Sequence, residues 1–270
     1  MTAASLGFVD LHCHLLPALD DGAADLATAL AMARMACDEG THTIVATPHQ
    51  CGSFAHTTGD AIRQRTAELQ EELDRQGIDV RLLPGADVRI DEELPAALRC
   101  GRVLTLADRG RHVLLELPHE IYLPLDALLV RLQRDGVTSV LSHPERNAGL
   151  LAERRIVESL VDQGCLMQVT AGSLLGAFGA ASQAMAEWML ARGLTHFLAT
   201  DAHGLRARRP RLRAAYERAR ELAGESVART LCCDNPGRVA RGESVAGGPL
   251  PATRTTSGWR LFGRSPRAAG

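Results

Sequence analysis

Nine histidine, aspartate and glutamate side chains are spaced so that they could share divalent cations. Two short motifs, Asp10-Leu11-His12-Cys13-His14 and Thr200-Asp201-Ala202-His203, each place two such side chains two residues apart. Alternation along an extended strand points both members of a pair to one side. Imidazole and carboxylate groups are ligands that divalent metals bind. The candidate ligands are His12, His14, Asp21, His49, Asp87, Glu116, His143, Asp201 and His203.

Seven short apolar strands must position these side chains. The strands alternate with amphipathic helices that end at a glycine. Near-continuous apolar strands separated by helices predict an α/β fold in which a parallel sheet is covered on both faces. The predicted strands are Gly7–Leu11, His42–Thr47, Val80–Ala86, His112–Leu117, Thr138–Ser142, Leu166–Thr170 and His196–Thr200.

The candidate ligands lie at or just after the carboxyl ends of these strands, where parallel barrels carry their active sites. Only the sixth strand, which ends at Thr170, has none. Nine ligands exceed the needs of one tetrahedral ion, so we expect two or three ions with a carboxylate between them. Such ions lower the pKa of a shared water and polarise a phosphoryl oxygen, which predicts hydrolytic chemistry.

Composition excludes several other functions. A net charge of −2 and an aromatic content of 3% argue against a nucleic-acid partner. The sequence has no apolar run of membrane-spanning length and no secretion signal at its start, so we expect a cytoplasmic protein. It has no lysine, which excludes a Schiff base or a carbamylated-lysine metal bridge. Seven cysteines without C-x-x-C spacing are expected to be reduced.

The chain divides into two parts by composition. Residues 1–243 carry the strand–helix pattern and every candidate ligand, and they are predicted to form a single domain. Residues 244–270 are rich in Gly, Pro, Ser, Thr and Arg and contain no acidic residue. Such a segment is predicted to be a disordered C-terminal tail.

Longer stretches resemble the PHP (polymerase and histidinol phosphatase) superfamily, and within it the tyrosine-protein phosphatases of bacterial capsular and exopolysaccharide operons, the CpsB/CapC type. The resemblance extends in order over about residues 7–242 and implies a distorted, TIM-barrel-like (β/α)7 barrel. The matching stretches are Val9–Pro17 with Asp20–Gly22, Ile44–His49, Gly85–Asp87, Leu115–Glu116, Ser142–Arg146, Ala199–His203 and Asp234–Pro236.

The resemblance also implies ligand roles, a metal and a partner. It assigns Arg146 and Arg208 to the phosphate and makes His143 a catalytic group as well as a ligand. It implies two or three Mn²⁺ ions, with Zn²⁺, Fe²⁺ or Co²⁺ as alternatives, and a phosphotyrosine substrate in the C-terminal tail of a bacterial tyrosine kinase. The implied ligand sets are His12, His14, Asp87 and Asp201 for one ion, Asp87, Glu116 and His143 for a second, and Asp21, His49 and His203 for a third.

The sequence departs from the family pattern at three places. Asp87 replaces the usual bridging glutamate, Gln50 follows His49 where the family tends to have a basic residue, and Gly204-Leu205 replaces Asn-Leu. These differences bear on metal occupancy and substrate preference.

Three alternatives remain at this stage. A related phosphatase would act on a small phosphomonoester such as histidinol phosphate, although Asp20-Asp21-Gly22 and His143-x-Glu145-Arg146 favour the tyrosine phosphatases. A non-catalytic protein would bind metal and sequester a phosphotyrosine partner. A thiol phosphatase would use the C-x5-R spacing of Cys232 and Arg238.

Overall fold

The computed structural model describes residues 7–250, in which parallel strands alternate with helices. Every strand pairs with its neighbours in parallel, as predicted. The strands are β1 (Phe8–Cys13), β2 (Thr41–Ala46), β3 (His49–Gln50), β4 (Arg81–Pro84), β5 (Asp87–Arg89), β6 (His112–Glu116), β7 (Thr138–Ser142), β8 (Leu166–Thr170) and β9 (Phe197–Ala199).

The strands follow one another around a ring. Hydrogen bonding gives the orders β1-β2-β4 and β3-β5-β6-β7-β8-β9. Only two residues separate β2 from β3, and two separate β4 from β5, so each pair is one interrupted strand. The ring closes beyond β1 and β9, where Cys13 bridges Ala202 and the His14 N–H donates to the Ala202 carbonyl at 2.9 Å. This arrangement confirms the predicted parallel α/β fold.

Helices follow most of the strands and cover the outside of the ring. Six glycines predicted to end helices all have positive φ, and at Gly40, after the first helix, φ is 96°. Gly110 follows a short 3-10 turn, Leu106–Asp108, instead of a helix. The six are Gly40, Gly77, Gly110, Gly136, Gly164 and Gly193. The helices are α1 (Leu26–Glu39), α2 (Gly59–Arg75), α3 (Leu94–Arg99), α4 (Asp126–Arg134), α5 (Ala148–Ala152), α6 (Arg155–Asp162), α7 (Ala171–Leu174), α8 (Ala180–Ala191), α9 (Arg213–Ala223), α10 (Glu225–Arg229) and α11 (Asn235–Arg241).

Buried side chains form an inner and an outer layer. The larger layer packs between the strands and the helices. The smaller layer receives at least one apolar side chain from each of the seven strands, which places it inside the ring. These inner residues include Val9, Val45, Leu83, Leu114, Val140, Leu166 and Phe197. The inner layer supports the polar side chains at the carboxyl ends of the strands.

The first residues of the predicted tail, 244–250, pack against the folded body. Leu250 N donates to the Gly193 carbonyl at 2.8 Å, the Gly248 carbonyl lies 3.1 Å from His196 Nε2, and Val245 is buried. Disorder predicted from residue 244 onward is therefore wrong for this segment, because its backbone satisfies polar groups of the body. The rest of the predicted tail, 251–270, lies outside the described residues. None of the helices in 7–250 is both long and apolar enough to cross a bilayer.

Candidate metal centre

The carboxyl ends of the strands bring the nine predicted ligands into one cluster. The side chains form three groups, and within each group one ligand atom from every residue lies within 4.8 Å of the others. The groups overlap, because any two of them have one residue in common. Asp201 joins them, since its Oδ1 lies 3.2 Å from His12 Nε2. The three groups are His14, Asp21, His49 and His203; His12, His14 and Asp87; and His49, Asp87 and Glu116.

His143 lies at the edge of the cluster. Its Nε2 is 3.9 Å from Glu116 Oε1, and its ring centroid is 5.8 Å from that of His12. His143 and Asp201 both have left-handed backbone conformations, with φ of 34° and 52°. Such conformations are costly for non-glycine residues and are concentrated at functional sites. Here they turn the chain sharply after β7 and β9, where both side chains enter the cluster.

Hydrogen bonds fix the orientation of three imidazoles. His12 Nδ1 lies 2.8 Å from Gln168 Oε1, and His14 Nδ1 lies 2.6 Å from Asp20 Oδ2. His203 Nδ1 lies 3.0 Å from the carbonyl of Asp201. A proton on Nδ1 that is donated to these oxygens leaves Nε2 as a lone-pair donor toward the cluster. Neither Gln168 nor Asp20 was among the predicted site residues.

A buried aspartate connects the two terminal strands behind the ligands. Asp10 Oδ2 accepts a hydrogen bond from Thr200 Oγ1 at 2.5 Å, and its Oδ1 accepts one from Thr200 N at 3.0 Å. The same Oδ1 accepts from His12 N at 3.3 Å. Because Thr200 precedes Asp201, these bonds set the distance between the ligands of β1 and those after β9.

The charge balance of the cluster favours a cation. Both carboxylate oxygens of Asp87 are buried without a hydrogen-bond partner among the described residues. Burial opposes ionisation of Asp87, but the imidazoles of His12 and His49 outweigh it and lower the pKa well below its usual range. Burial likewise opposes protonation of His14, yet hydrogen bonds to Asp20 and Asp201 raise its pKa to about 10, so a bound cation would take the place of the proton on Nε2.

Glu116 shows the opposite shift. Burial and then the charge of Asp87 raise the pKa of Glu116 to about 7, because two carboxylates crowd one space. A divalent cation held by both carboxylates would relieve this repulsion. Its donors would be buried imidazole nitrogens and carboxylate oxygens, which suit a borderline or hard divalent metal. The residues present therefore fit a metal centre.

Both predicted phosphate-binding arginines reach the cluster. Arg146 Nη1 lies 2.5 Å from Asp201 Oδ2. Arg208 forms an ion pair with Asp201 Oδ1, and its Nε donates to the Asp201 carbonyl at 3.1 Å. On its other side Arg146 meets two residues that the sequence did not single out. Its guanidinium carbon lies 4.3 Å from the Phe178 ring centroid, and its Nη2 lies 3.4 Å from His119 Nε2.

Two phenyl rings that contact residues of the cluster come from loops. Phe178 supports Arg146, and Phe54 stacks on His49 with centroids 5.1 Å apart and planes inclined by 26°. Both rings are half-buried. The aromatic content of the whole chain is only 3%. The two phenyl rings place apolar surface next to the polar cluster.

The departure at Gln50 has a structural explanation. Its Nε2 donates to the carbonyls of Thr57 at 2.8 Å and Arg102 at 3.2 Å, and its Oε1 accepts from Leu104 N at 2.9 Å. The buried amide thus joins the loop after β3 to the segment after α3. All these polar atoms are engaged, so Gln50 serves the scaffold and not an anion.

The C-x5-R segment has the wrong environment for a thiol nucleophile. Cys232 lies in a π-helical turn, Thr230–Asp234, and is fully buried. Burial raises the pKa of its thiol well above the usual value. A nucleophilic cysteine requires an accessible thiol with a lowered pKa.

Comparisons with known proteins agree with the geometry. The family described as "Capsular polysaccharide synthesis, CpsB/CapC" matches residues 8–241. The tyrosine-protein phosphatase YwqE of Bacillus subtilis is 36% identical over 202 residues, which cover 74% of this chain and 79% of YwqE. The tyrosine-protein phosphatase CpsB of Streptococcus pneumoniae is 27% identical over 237 residues, covering 86% of this chain and 97% of CpsB.

Solved structures give the same result. One of the crystal structures of YwqE and CpsB, described as metal-dependent tyrosine phosphatases, superposes with a TM-score of 0.85 at 32% identity. It covers 91% of this chain and 100% of that chain. The phosphotriesterase homology protein of Escherichia coli shares the fold alone, with a TM-score of 0.56 and 11% identity over 87% of this chain and 99% of that chain. By sequence and structure, this chain belongs to the CpsB/CapC family.

Proposed function

We propose that this protein is a metal-dependent phosphatase that hydrolyses phosphotyrosine in proteins. The observation that carries the proposal is the overlap of three ligand groups beside Arg146, whose Nη1 lies 2.5 Å from a carboxylate oxygen of the cluster. Cations and a guanidinium fork at one site suit a phosphoryl group, because they oppose the charge on its oxygens. Relatives over most of the chain carry tyrosine-protein phosphatase as their name.

We assign the nine ligands to three ions in the sets that the family resemblance implies. Mn²⁺ is the proposed metal, with Zn²⁺, Fe²⁺ and Co²⁺ as alternatives. The position of His49 supports closely spaced ions, because its two ring nitrogens face different groups. Its Nδ1 lies 3.4 Å from Asp87 Oδ2, and its Nε2 lies 3.6 Å from Asp21 Oδ1. When bound, such ions polarise phosphoryl oxygens and lower the pKa of water toward neutrality.

The residues of this chain hold and orient the reacting groups. Asp20 and Gln168 keep the proton of their imidazole partners on Nδ1, away from the cluster. Arg146 and Arg208 offer N–H groups to the phosphoryl oxygens, and we place His143 beside them as both a ligand and a catalytic group. The leaving phenolate has a pKa of about 10, so it departs with less acid assistance than the alkoxide of a serine or of histidinol.

We further propose that the substrate is the C-terminal tail of a bacterial tyrosine autokinase that governs capsule or exopolysaccharide synthesis in the cytoplasm. The description of the family, capsular polysaccharide synthesis, supports this setting.

The test is phosphate release by EDTA-treated protein, with and without Mn²⁺, from a phosphotyrosine peptide, a phosphoserine peptide and histidinol phosphate. We expect Mn²⁺-dependent release from phosphotyrosine alone. His42→Gln is the matched control for a ligand variant such as His12→Gln, because His42 lies on β2 at the opposite end of the ring. Full activity after metal removal, or activity on histidinol phosphate alone, would contradict the proposal.

A further inference from the structure

The loop between β9 and α9 borders the metal centre and is strongly basic. Residues 202–216 contain five arginines and no aspartate or glutamate. The segment begins directly after Asp201 and continues into the first turn of α9. The five arginines are Arg206, Arg208, Arg209, Arg211 and Arg213.

Three of the five are engaged by the folded body. Arg208 pairs with Asp201 in the cluster. Arg213 Nη2 donates to the Glu39 carbonyl at 2.7 Å, and Arg211 Nε lies 3.9 Å from Glu39 Oε1. Arg206 and Arg209 are exposed, and neither forms an ion pair with a carboxylate of residues 7–250. These two cations are available to a partner.

Hydrogen bonds fix the loop that carries them. The N–H groups of His203 and Gly204 donate to the Arg208 carbonyl at 2.9 and 3.1 Å. Arg209 Nε donates to the Arg206 carbonyl at 2.7 Å. The chain therefore folds back on itself, and its tip, with Arg206, stays close to the ligand His203.

A groove separates this tip from the start of α1. It has a volume of about 350 Å³ and is lined by Thr28 and by residues 203–208. Two acidic residues lie near it, and both are already engaged. Asp25 Oδ1 accepts a hydrogen bond from Thr28 N at 2.7 Å, and Asp21 Oδ1 lies 3.5 Å from His203 Nε2. The groove thus opens at the candidate ligand His203, and the unpaired guanidinium group of Arg206 lies on its lining.

The segment after β5 has the opposite charge. Asp91, Glu92 and Glu93 follow β5 in succession and are exposed. A peptide that crosses the centre therefore meets basic residues after β9 and acidic residues after β5. This asymmetry can select one sequence context over another.

We propose that Arg206 and Arg209 form a docking surface for acidic side chains next to phosphotyrosine in the substrate. The inference rests on the proposed function and specifies the class of peptide that it acts on. In an extended peptide each residue advances by about 3.3–3.6 Å, so residues close to the phosphotyrosine can reach a groove that begins at His203. Two solvent-exposed guanidinium groups attract carboxylates there at low ionic strength.

The experiment compares two phosphotyrosine peptides that differ only in flanking glutamates or glutamines, with Mn²⁺-loaded full-length protein. We expect a kcat/KM about three- to tenfold higher for the glutamate peptide, mainly through KM. The preference should disappear in about 1 M salt, where the Debye length is about 3 Å. Arg206→Gln with Arg209→Gln should bring the ratio close to one, and Arg206→Glu should favour a lysine-flanked peptide.

Arg134→Gln is the matched control, because Arg134 is an exposed arginine at the end of α4, without an ion pair in the described part of the chain. It should keep the wild-type ratio. Fluorescence anisotropy with phosphonomethyl-phenylalanine versions of both peptides measures the preference without turnover. Equal affinity and equal kcat/KM for the two peptides would overturn the docking surface. A preference in binding with no hydrolysis of either phosphotyrosine peptide would instead overturn the proposed function and leave the docking surface in place.

Discussion

Phe178 lies against the guanidinium of Arg146, with the guanidinium carbon 4.3 Å from the ring centroid. The other side of the guanidinium faces the cluster, where Nη1 is 2.5 Å from Asp201 Oδ2. The phenyl ring belongs to the loop between α7 and α8, in which Gly176 and Gly179 have positive φ. Phe178 therefore acts as a positioning residue, because it restricts a long side chain that would otherwise sample many rotamers.

We predict that Phe178→Leu reduces kcat/KM for a phosphotyrosine peptide by roughly two- to thirtyfold, the range expected for a cation–π contact. The inhibition constant of inorganic phosphate should rise in parallel, because Arg146 would bind the anion less well. Phe178→Trp, which keeps a π face, should recover most of the loss. Leu175→Ala in the same loop serves as the control. An unchanged phosphate inhibition constant in Phe178→Leu would show that the ring is only structural.

Gln168 offers a test of metal binding that needs no turnover. Its Oε1 lies 2.8 Å from His12 Nδ1, and the residue is buried. Gln168→Leu removes the acceptor that fixes the tautomer of His12, so we expect Mn²⁺ affinity to fall by about 10- to 100-fold. Gln168→Glu keeps an acceptor and should retain affinity. Isothermal titration calorimetry measures both. Equal Mn²⁺ affinity of Gln168→Leu and the wild type would show that Gln168 does not orient His12 for metal binding.

Gly22 supports His14 by close packing. A Cβ at Gly22 would lie 2.2 Å from the His14 carbonyl oxygen, so even alanine requires the backbone to move. We predict that Gly22→Ala weakens Mn²⁺ binding and lowers Tm by roughly 5 °C or more. Gly204→Ala is the matched control, since a Cβ there would have no heavy atom within 4 Å. Similar Tm and metal affinity in the two variants would contradict this explanation.

The strands and the clustering of the candidate ligands could be predicted from the sequence because each depends on a local pattern. Apolar runs bounded by helices that end in glycine predict β6, β7 and β8 to within a residue or two. His-x-His and Asp-x-His motifs at strand ends predict side chains on one side of a strand. Parallel strands bring their carboxyl ends to one face, where seven of the nine candidate ligands form the three overlapping groups and Asp201 and His143 lie beside them.

The supporting residues were not readable because their partners are distant in the chain. Gln168 lies in the middle of a buried strand and resembles any polar core residue until the fold brings its side chain to His12. Phe178 is a phenylalanine in a loop, and only the fold brings it to Arg146. The contacts of residues 244–250 with Gly193 likewise depend on the position of β9, which no local composition encodes.

His112 predicts how stability depends on pH. It begins β6, is 1% exposed, and neither ring nitrogen has a hydrogen-bond partner in residues 7–250. Burial, and then the charge of Arg111, lower its pKa to about 4 from 6.5. The unfolded chain therefore binds a proton at a higher pH than the folded chain. The contribution of His112 to the free energy of unfolding is therefore fully present above pH 6.5 and is lost as the pH falls toward about 4.

For metal-free protein we expect protonation of His112 to lower the free energy of unfolding by about 2 kcal/mol when the pH falls from 7.5 to 5. His112→Leu should show a shallower decline than wild type in urea unfolding over this range. His56→Gln, at an exposed histidine, is the matched control variant. Parallel curves for wild type and His112→Leu would show that His112 does not control acid sensitivity.

Substitution of Asp87 tests whether aspartate at this position limits the activity of the centre. Its shorter side chain already reaches two neighbours, since Oδ2 lies 3.5 Å from His12 Nε2 and 3.4 Å from His49 Nδ1. The residue is fully buried, so an added methylene must displace packed atoms at a cost of about 1–3 kcal/mol. We therefore predict that Asp87→Glu, which restores the usual family residue, gives no gain in kcat/KM and lowers stability.

Asp87→Asn separates charge from size at the same position. It keeps the volume of the side chain but removes the negative charge that two imidazoles stabilise, so we expect loss of at least one bound Mn²⁺ and of phosphotyrosine hydrolysis. Metal content by inductively coupled plasma spectrometry and initial rates measure the two effects. A large gain in rate for Asp87→Glu, with full metal content in Asp87→Asn, would mean that aspartate limits the centre. The protein would then be better described as a metal-binding regulator of a phosphotyrosine partner.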